Sequence, residues 1–558
     1  MMSAQFRQIR RPTTLRGSGP SHASAFAGAL VVAISLGAAP TAAKAAPTPA
    51  AATAACANLT RLSIANTTVT SATLVPASEG TPAYCDVLAT SAPQTDMEIR
   101  LPLSWRGRYL HLGGSGFDGA IATDAPASFN VNLIADEFVV AGSNGGHRAS
   151  QYPGASFAAV PALVLGYAHT AISQTDTVAH ALMEAFYGHG PQYRYFDGCS
   201  NGGKNASIAA SLLGDSYDGV IGGDGVYGHA DDDTGGSDMP GLTAAWARAT
   251  QVGSADLNPA TLGPKLTALY NAEVAQCDAL DGLTDGIISN PSACHFNPAS
   301  LQCPKGTNAN SCLTSTEVQA VKSVMSDLVL DGRVIGAPYG LGNLAVANGT
   351  LGLPGALGGG GFGLGQGFLA LAYGDPGYSL LSSWNLQRDY GFVANQFDTV
   401  DDMTGPLEGS RGIAHFVKKG GKLIIWNGAE DTLVPAADSV RFVAHLLLDL
   451  ETSFSYDQSR NNVRYYSLPG VGHCGGGPGA DSIDLLTPLT KWVENNRTPD
   501  TLTAAKVADN AVTFTRPMCV YPQYPLYKGA GDPNNAASFH CAMPSGAPSQ
   551  WWHSAPIP

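Results

Sequence analysis

Three short stretches of this chain combine residue types that could carry out nucleophilic chemistry. Gly198-Cys199-Ser200-Asn201-Gly202 has the G-x-S-x-G spacing, in which glycines allow a turn tight enough to lift a serine hydroxyl clear of the backbone. Near neutral pH a serine needs a base to take its proton and an acid to orient that base. Asn427-Gly428-Ala429-Glu430-Asp431 and Gly470-Val471-Gly472-His473-Cys474 follow further along. The chain therefore offers serine, acid and histidine in an order that open α/β folds use, with Glu430 and Asp431 competing for the acid. The plain alternatives are an ordinary tight turn at Ser200 and a solvated loop histidine at His473.

The elements around these residues decide between the readings. Tyr193 to Phe196 has the pattern of a strand and Lys204 to Leu213 that of a helix, so Ser200 falls in the strand, turn and helix context of a nucleophile elbow. Lys422 to Trp426 is the clearest buried strand and leads into the candidate acids. Val463 to Leu468 is the strand before the candidate base. Open α/β sheets place their sites at such C-terminal strand ends. Strand-like Tyr109 to Leu112 and Phe138 to Ala141, with an amphipathic stretch from Thr170 to Tyr187, complete a first alternating region from about Met97 to Val226. A second runs from about Gly412 to Val493. Alternation of this kind signals a mostly parallel sheet covered by helices.

Between the two regions the alternation lapses, and four cysteines and the glycine-rich tract Gly340 to Gly367 occur there. This part reads as an inserted lid domain, the tract itself equally as a surface loop. The expected organisation is a segment at 1–45 to be removed, a catalytic domain from 46–226 and 413–558, and a lid at 227–412.

Gly113-Gly114-Ser115-Gly116 follows an early strand. One of its N–H groups, with that of Asn201, could hold a tetrahedral oxyanion. The loop lacks the Lys-Ser/Thr and the full G-x-G-x-x-G spacing of phosphate cradles, which argues against a nucleotide. Cys199 precedes the candidate nucleophile and Cys474 follows the candidate base. Hydrogen-bond contact between Ser200 and His473 would force these cysteines together, and an oxidising compartment would join them.

In the insert, Asp278, Asp281 and Asp285 stand at offsets 0, 3 and 7 among glycines. Such spacing can build an all-oxygen shell for calcium, and equally a solvated acidic turn. The ten cysteines, 56, 85, 199, 277, 294, 303, 312, 474, 519 and 541, include no C-x-x-C pair, which disfavours zinc. Their even number suggests five disulfides in an exported chain.

Export is also what the first residues suggest. Arg7, Arg10, Arg11 and Arg16 precede an apolar run from Ala25 to Ala39, and Ala43-Lys44-Ala45 forms an A-x-A cleavage site. The run is shorter than the roughly 20 residues that span a bilayer. A secreted or periplasmic protein is expected, without a membrane partner; Arg10-Arg11 fits a twin-arginine signal poorly. The 558 residues carry 30 basic and 44 acidic side chains, a formal charge of −14. Such a balance gives no basis for binding nucleic acid.

With these residues in view, the chain resembles the tannase and feruloyl esterase family, which includes mono(2-hydroxyethyl) terephthalate hydrolase. The marks are Gly198-Cys199-Ser200-x-Gly202-Gly203, Gly472-His473-Cys474 and the tail Arg516-Pro517-x-Cys519-x-Tyr521-Pro522 continuing to Gly531-Asp532. The resemblance implies an α/β-hydrolase fold with a large inserted lid, and a carboxylic ester hydrolase whose triad is Ser200, Asp431 and His473. Asp431 is preferred to Glu430 because the family's acid stands four residues before a proline, here Pro435. It further implies oxyanion donors Gly116 and Asn201, and structural calcium held by Asp278, Asp281, Asp285 and the carbonyls of Leu283 and Ile287. The implied disulfides are Cys56–Cys85, Cys199–Cys474, Cys277–Cys294, Cys303–Cys312 and Cys519–Cys541. The implied partner is a small aromatic ester, feruloyl, hydroxycinnamoyl or galloyl, with the terephthalate monoester as runner-up. A rival of another class is a catalytically dead, calcium-stabilised binding protein, against which the complete set of Ser200, Asp431 and His473 argues. Two departures stand out. Lys204 replaces the usual arginine, and the tract Gly340 to Gly367 takes the place of the substrate-contacting lid.

Overall fold

The computed structural model describes residues 49–78, 80–123, 133–227, 239–256, 259–340, 360–403, 409–453, 461–548 and 550–553. The proposed targeting segment, 1–45, and residues 341–359 of the glycine-rich tract lie outside them. Two α/β regions merge into one sheet. The first contributes β1 (Thr67–Val75), β2 (Tyr84–Ser91), β3 (Thr95–Pro102), β4 (Arg108–Leu112), β5 (Phe138–Ser143), β6 (Tyr193–Cys199) and β7 (Gly219–Gly223). Within the insert, β8 (Leu328–Leu330) and β9 (Arg333–Gly336) form a small hairpin. The second region contributes β10 (Lys422–Gly428) and β11 (Val463–Leu468).

The nine strands lie in the order β1-β2-β3-β5-β4-β6-β7-β10-β11. From β5 to β11 every neighbouring pair is parallel, whereas β1, β2 and β3 run antiparallel to one another and β3 antiparallel to β5. The chemistry of the strands explains this division. β5 and β7 are buried at every residue, as parallel strands covered by helices on both faces must be. In β2 and β3 burial alternates, with Val87, Ala89, Met97 and Ile99 inward, which is the period of a strand with one wet face. One face of the sheet packs Tyr109, Phe196 and Val220 against helices Ala171–Tyr187 and Asn201–Leu212. The other packs Leu110, Tyr195 and Ile424 against Leu486–Asn495. This is the α/β-hydrolase arrangement, and the seven strand and helix segments read from the sequence are all present.

The residues between β7 and β10 build a mostly helical body, including Met239–Asp256, Pro259–Cys277, Ser315–Val324, Gly360–Tyr373 and Leu386–Met403. Trp246, Leu269, Val321, Phe368 and Val393 form its core together with Phe157, Leu163 and Val434, which lie outside the insert. Its apolar interior is therefore continuous with residues bordering the sheet. The described end of the glycine-rich tract is helix rather than loop. Burial of Phe368, Leu369 and Ala370 offsets the roughly 1 kcal/mol that each helical glycine costs. After β11 the chain adds two hairpins, β12 (Thr501–Ala508) with β13 (Ala511–Cys519) and β14 (Tyr524–Tyr527) with β15 (Phe539–Ala542). All five disulfides pair as the resemblance implied.

Candidate active site

Ser200 sits between the end of β6 and the helix Asn201–Leu212 with φ 64° and ψ −122°. A residue with a side chain adopts that conformation at a cost of about 1–3 kcal/mol, which the surroundings must offset. Here the Ser200 N–H donates to the Gly223 carbonyl at 2.9 Å and the Ser200 carbonyl accepts from Lys204 N–H at 3.0 Å. The turn closes only because side chains are missing around it. A β-carbon on Gly198 would lie 2.5 Å from the Gly202 carbonyl oxygen, and one on Gly113 2.6 Å from the Gly202 Cα.

Ser200, 273 positions before His473, and Asp431, 42 before it, form one hydrogen-bonded chain with that histidine. His473 Nε2 lies 2.7 Å from Ser200 Oγ, and its Nδ1 lies 2.7 Å from Asp431 Oδ2. Asp431 follows β10 in a turn whose Oδ1 accepts the N–H groups of Leu433 at 2.7 Å and Val434 at 3.0 Å. Hydrogen bonds to a charged group contribute about 1.5–3 kcal/mol each, so the two backbone N–H groups hold the carboxylate in orientation toward His473. Burial pulls the His473 imidazole down, but the charge and hydrogen bond of Asp431, with the charge of Asp224, raise it to about 8. A base of that strength can accept a proton from Ser200 and return it to a leaving group.

Glu430, the competing acid, points elsewhere. Its carboxyl is buried with Oε2 unpartnered among the described residues, and burial, with Glu273 nearby, pushes it up to about 8. The Glu430 N–H donates to Val471 at 2.9 Å, tying the acid loop to the histidine loop. Cys199 and Cys474 form the bridge expected if Ser200 and His473 meet.

Gly116 and Asn201 border the same small cleft as Ser200 and His473. Gly116 has φ 52°, and its carbonyl accepts from the Tyr167 hydroxyl at 3.1 Å. The Asn201 amide donates to Asp118, whose carboxyl burial raises to about 7 against the lowering influence of Lys204 and Asn201. Asp118 and Tyr167 thus brace the two oxyanion candidates. Sequence reading missed both, because only the folded loop 113–118 brings them to the elbow. Lys204 rests with Nζ 3.8 Å above the Tyr167 ring, a cation–π contact.

Outside the serine opens a cavity of about 900 Å³, bordered by Phe117, Pro153, Leu364, Ala370 and Leu433. Leu364 and Ala370 belong to the helix Gly360–Tyr373, so the glycine-rich tract does not merely replace a wall of the cavity: its described end supplies one. Trp246 of the insert donates Nε1–H to the Leu433 carbonyl at 2.9 Å and packs on Phe368 at 5.6 Å between ring centroids. The insert is thereby anchored to the loop that orients Asp431.

None of Asp278, Asp281 and Asp285 borders the cavity or the cleft. Asp278 accepts the N–H groups of Asp285 and Gly286, Asp281 that of Leu283, and Asp285 that of Ile287 and an ion pair from Arg516. Asp281 Oδ2 is buried without a partner among the described residues. Burial first, then Asp285 and Asp278, act to raise that carboxyl, which stands at about 6. Among the described residues no helix is long and apolar enough to cross a membrane.

Comparison with known proteins agrees with this architecture. The chain matches the family described as tannase and feruloyl esterase over residues 79–335 and 395–542. It is 31% identical to an uncharacterized esterase of Xanthomonas campestris pv. campestris across 90% of this chain and 93% of that one. It is 28% identical to mono(2-hydroxyethyl) terephthalate hydrolase of Piscinibacter sakaiensis, covering 83% and 85%. The crystal structure of feruloyl esterase B from Aspergillus oryzae superposes with a TM-score of 0.75 at 24% identity, covering 88% of this chain and all of that one. A match spanning most of the sheet, the insert and the C-terminal hairpins leaves one assignment: the chain belongs to the tannase and feruloyl esterase family of carboxylic ester hydrolases.

Proposed function

We propose that this protein is an exported serine esterase that cleaves esters of aromatic acids, feruloyl and related hydroxycinnamoyl or galloyl esters, through an acyl-enzyme. The observation carrying the reading is the continuous hydrogen bonding from Ser200 through His473 to Asp431 at the floor of an apolar cavity. Ser200 Oγ attacks the ester carbonyl while its proton passes to His473 Nε2, and the oxyanion is met by the N–H groups of Gly116 and Asn201. The C–O bond to the alcohol breaks as His473 returns that proton to the departing oxygen. Water then repeats the sequence on the acyl-serine and releases the aromatic acid. Similarity to the Piscinibacter sakaiensis hydrolase supports a second substrate, the terephthalate monoester. Turnover of methyl ferulate, methyl gallate and mono(2-hydroxyethyl) terephthalate, beside an aliphatic ester of equal size, tests the reading. Preference for the aliphatic ester over all three overturns it. Export is supported by the five bridges and by the charged, apolar and A-x-A sequence of the first 45 residues.

The insert, 227–412, acts in this reading as a lid over the cavity and is stabilised by calcium. The donor types suit the ion: three carboxylates with the Leu283 and Ile287 carbonyls are all hard oxygen ligands, and Asp281 Oδ2 is buried without a hydrogen-bond partner among the described residues. Triad hydrolysis requires no Lewis acid, so the metal supplies folding energy by mass action. Chelation is expected to lower Tm, with Asp281→Ala doing the same, while hydrolysis of p-nitrophenyl acetate persists below the new Tm. Loss of that activity in the folded, chelated protein would place the metal in the chemistry instead.

A further inference from the structure

One buried carboxyl at the centre of the site has no part in the proton relay. Asp224 stands one residue beyond β7, fully buried, with a left-handed φ of 41°. Its N–H donates to the Trp426 carbonyl at 3.0 Å, which extends the β7–β10 pairing by one step and fixes the side chain over the strand ends. Oδ1 accepts the Gly428 N–H at 2.7 Å, and Oδ2 accepts the Cys474 N–H at 2.7 Å. Gly428 opens the loop that carries Asp431, and Cys474 follows His473. A single carboxylate therefore clamps the acid loop to the base loop. One oxygen each of Asp224 and Asp431 and one ring nitrogen of His473 lie within 4.8 Å of one another.

Burying a carboxylate is costly unless donors or an opposite charge compensate. Burial first, then the charge of Asp431, push the Asp224 carboxyl well above the usual carboxylate range, and the Cys474 and Gly428 N–H groups oppose that push at all times. The larger compensation, the positive charge of His473, is present only when the ring holds the serine proton, because the imidazolium then faces both carboxyl groups. We infer that Asp224 is a second acidic positioning residue of the active site: it locks the His473 loop against the Asp431 loop and stabilises the imidazolium formed as Ser200 gives up its proton. The inference rests on the serine esterase reading above. The groups facing His473 are Asp431, Asp224 and the Ser200 hydroxyl, with Lys204 bordering the same cleft and Asp118 behind Asn201. Of these, Asp431 and Asp224 act to raise the imidazole, and burial opposes them.

Asp224→Asn keeps the shape but removes the charge and turns an amide N–H₂ toward one of the two backbone donors. The expected result is a kcat lower by about 10²-fold with KM within about threefold. Removing a negative charge lowers the pKa of the imidazole, and the base must be neutral to act. The acid limb of the kcat/KM profile should therefore move to lower pH by about half a unit or more. A role confined to folding would lower kcat and leave that limb in place. Unchanged kcat, or an unmoved limb, in a folded Asp224→Asn protein overturns the inference, provided Ser200→Ala is inactive. An active Ser200→Ala would instead overturn the esterase reading on which it rests. If Asp224→Asn does not fold, the unmodified enzyme serves. An acid limb above the ordinary imidazole value of 6.5 supports carboxylate charge acting on His473, and one at or below that value refutes it.

Discussion

Replacing Ser200 by alanine is expected to lower kcat by about 10⁴-fold or more, with His473→Ala matching it and the double variant losing little further, because nucleophile and base act as one unit. The protein should fold as before. Alanine carries the same Cβ as serine, so the strained φ of 64° is neither relieved nor worsened, and the lost hydroxyl bonds only to His473 among the contacts described. The residual rate would reflect the proposed oxyanion donors Gly116 and Asn201, which neither substitution replaces. Single-turnover kinetics with a chromogenic aromatic ester, beside a thermal melt, decide the matter. A folded Ser200→Ala protein within tenfold of the parent would remove Ser200 from the reaction.

The second large effect separates the two adjacent acids. Asp431 spends both oxygens: Oδ2 on His473 Nδ1, and Oδ1 on the Leu433 and Val434 N–H groups. Asparagine has one acceptor where two are needed. If its oxygen stays with the backbone, its N–H₂ faces Nδ1 and forces the proton onto Nε2, so the imidazole can no longer take a proton from Ser200. Asp431→Asn is therefore expected to cost about 10³–10⁴-fold in kcat with KM little changed. Glu430→Gln should stay within about threefold, since that carboxyl is buried away from His473 and is pushed up to about 8 by its burial and by Glu273. The opposite ranking of the two variants would transfer the acid role to Glu430.

The elbow and its partners were readable because their signals are local. Glycines at 198 and 202 are demanded by backbone contacts within the turn itself, and Lys422 to Trp426 and Val463 to Leu468 are apolar runs that end in polar loops. The antiparallel strands β1 and β2 escaped notice because threonines, serines and alanines interrupt their alternation, so their identity depends on pairing with β3. The C-terminal hairpins are half exposed and offered no apolar run. Asp224 was invisible for a different reason. It follows a strand rich in glycine, and nothing near it in sequence accepts or donates its hydrogen bonds, which reach 204 and 250 positions along the chain. The glycine-rich tract left lid and surface loop equally open, since composition alone does not choose, and its residues 360–367 lie in a helix that packs against Trp246.

The bridge between Cys199 and Cys474 has a consequence for the protein after damage. The other four bridges close loops of 29, 17, 9 and 22 positions, so each lies wholly before residue 313 or wholly after 518, whereas this one spans 275. A protease cut anywhere between 313 and 421 divides the chain into a piece bearing Ser200 and a piece bearing His473. The two pieces remain one covalent molecule, joined at the residues flanking nucleophile and base, with β7 of one still paired to β10 of the other. The exported protein proposed above can thus be nicked across its insert and keep Ser200 and His473 together, and the injury becomes visible only on a reducing gel.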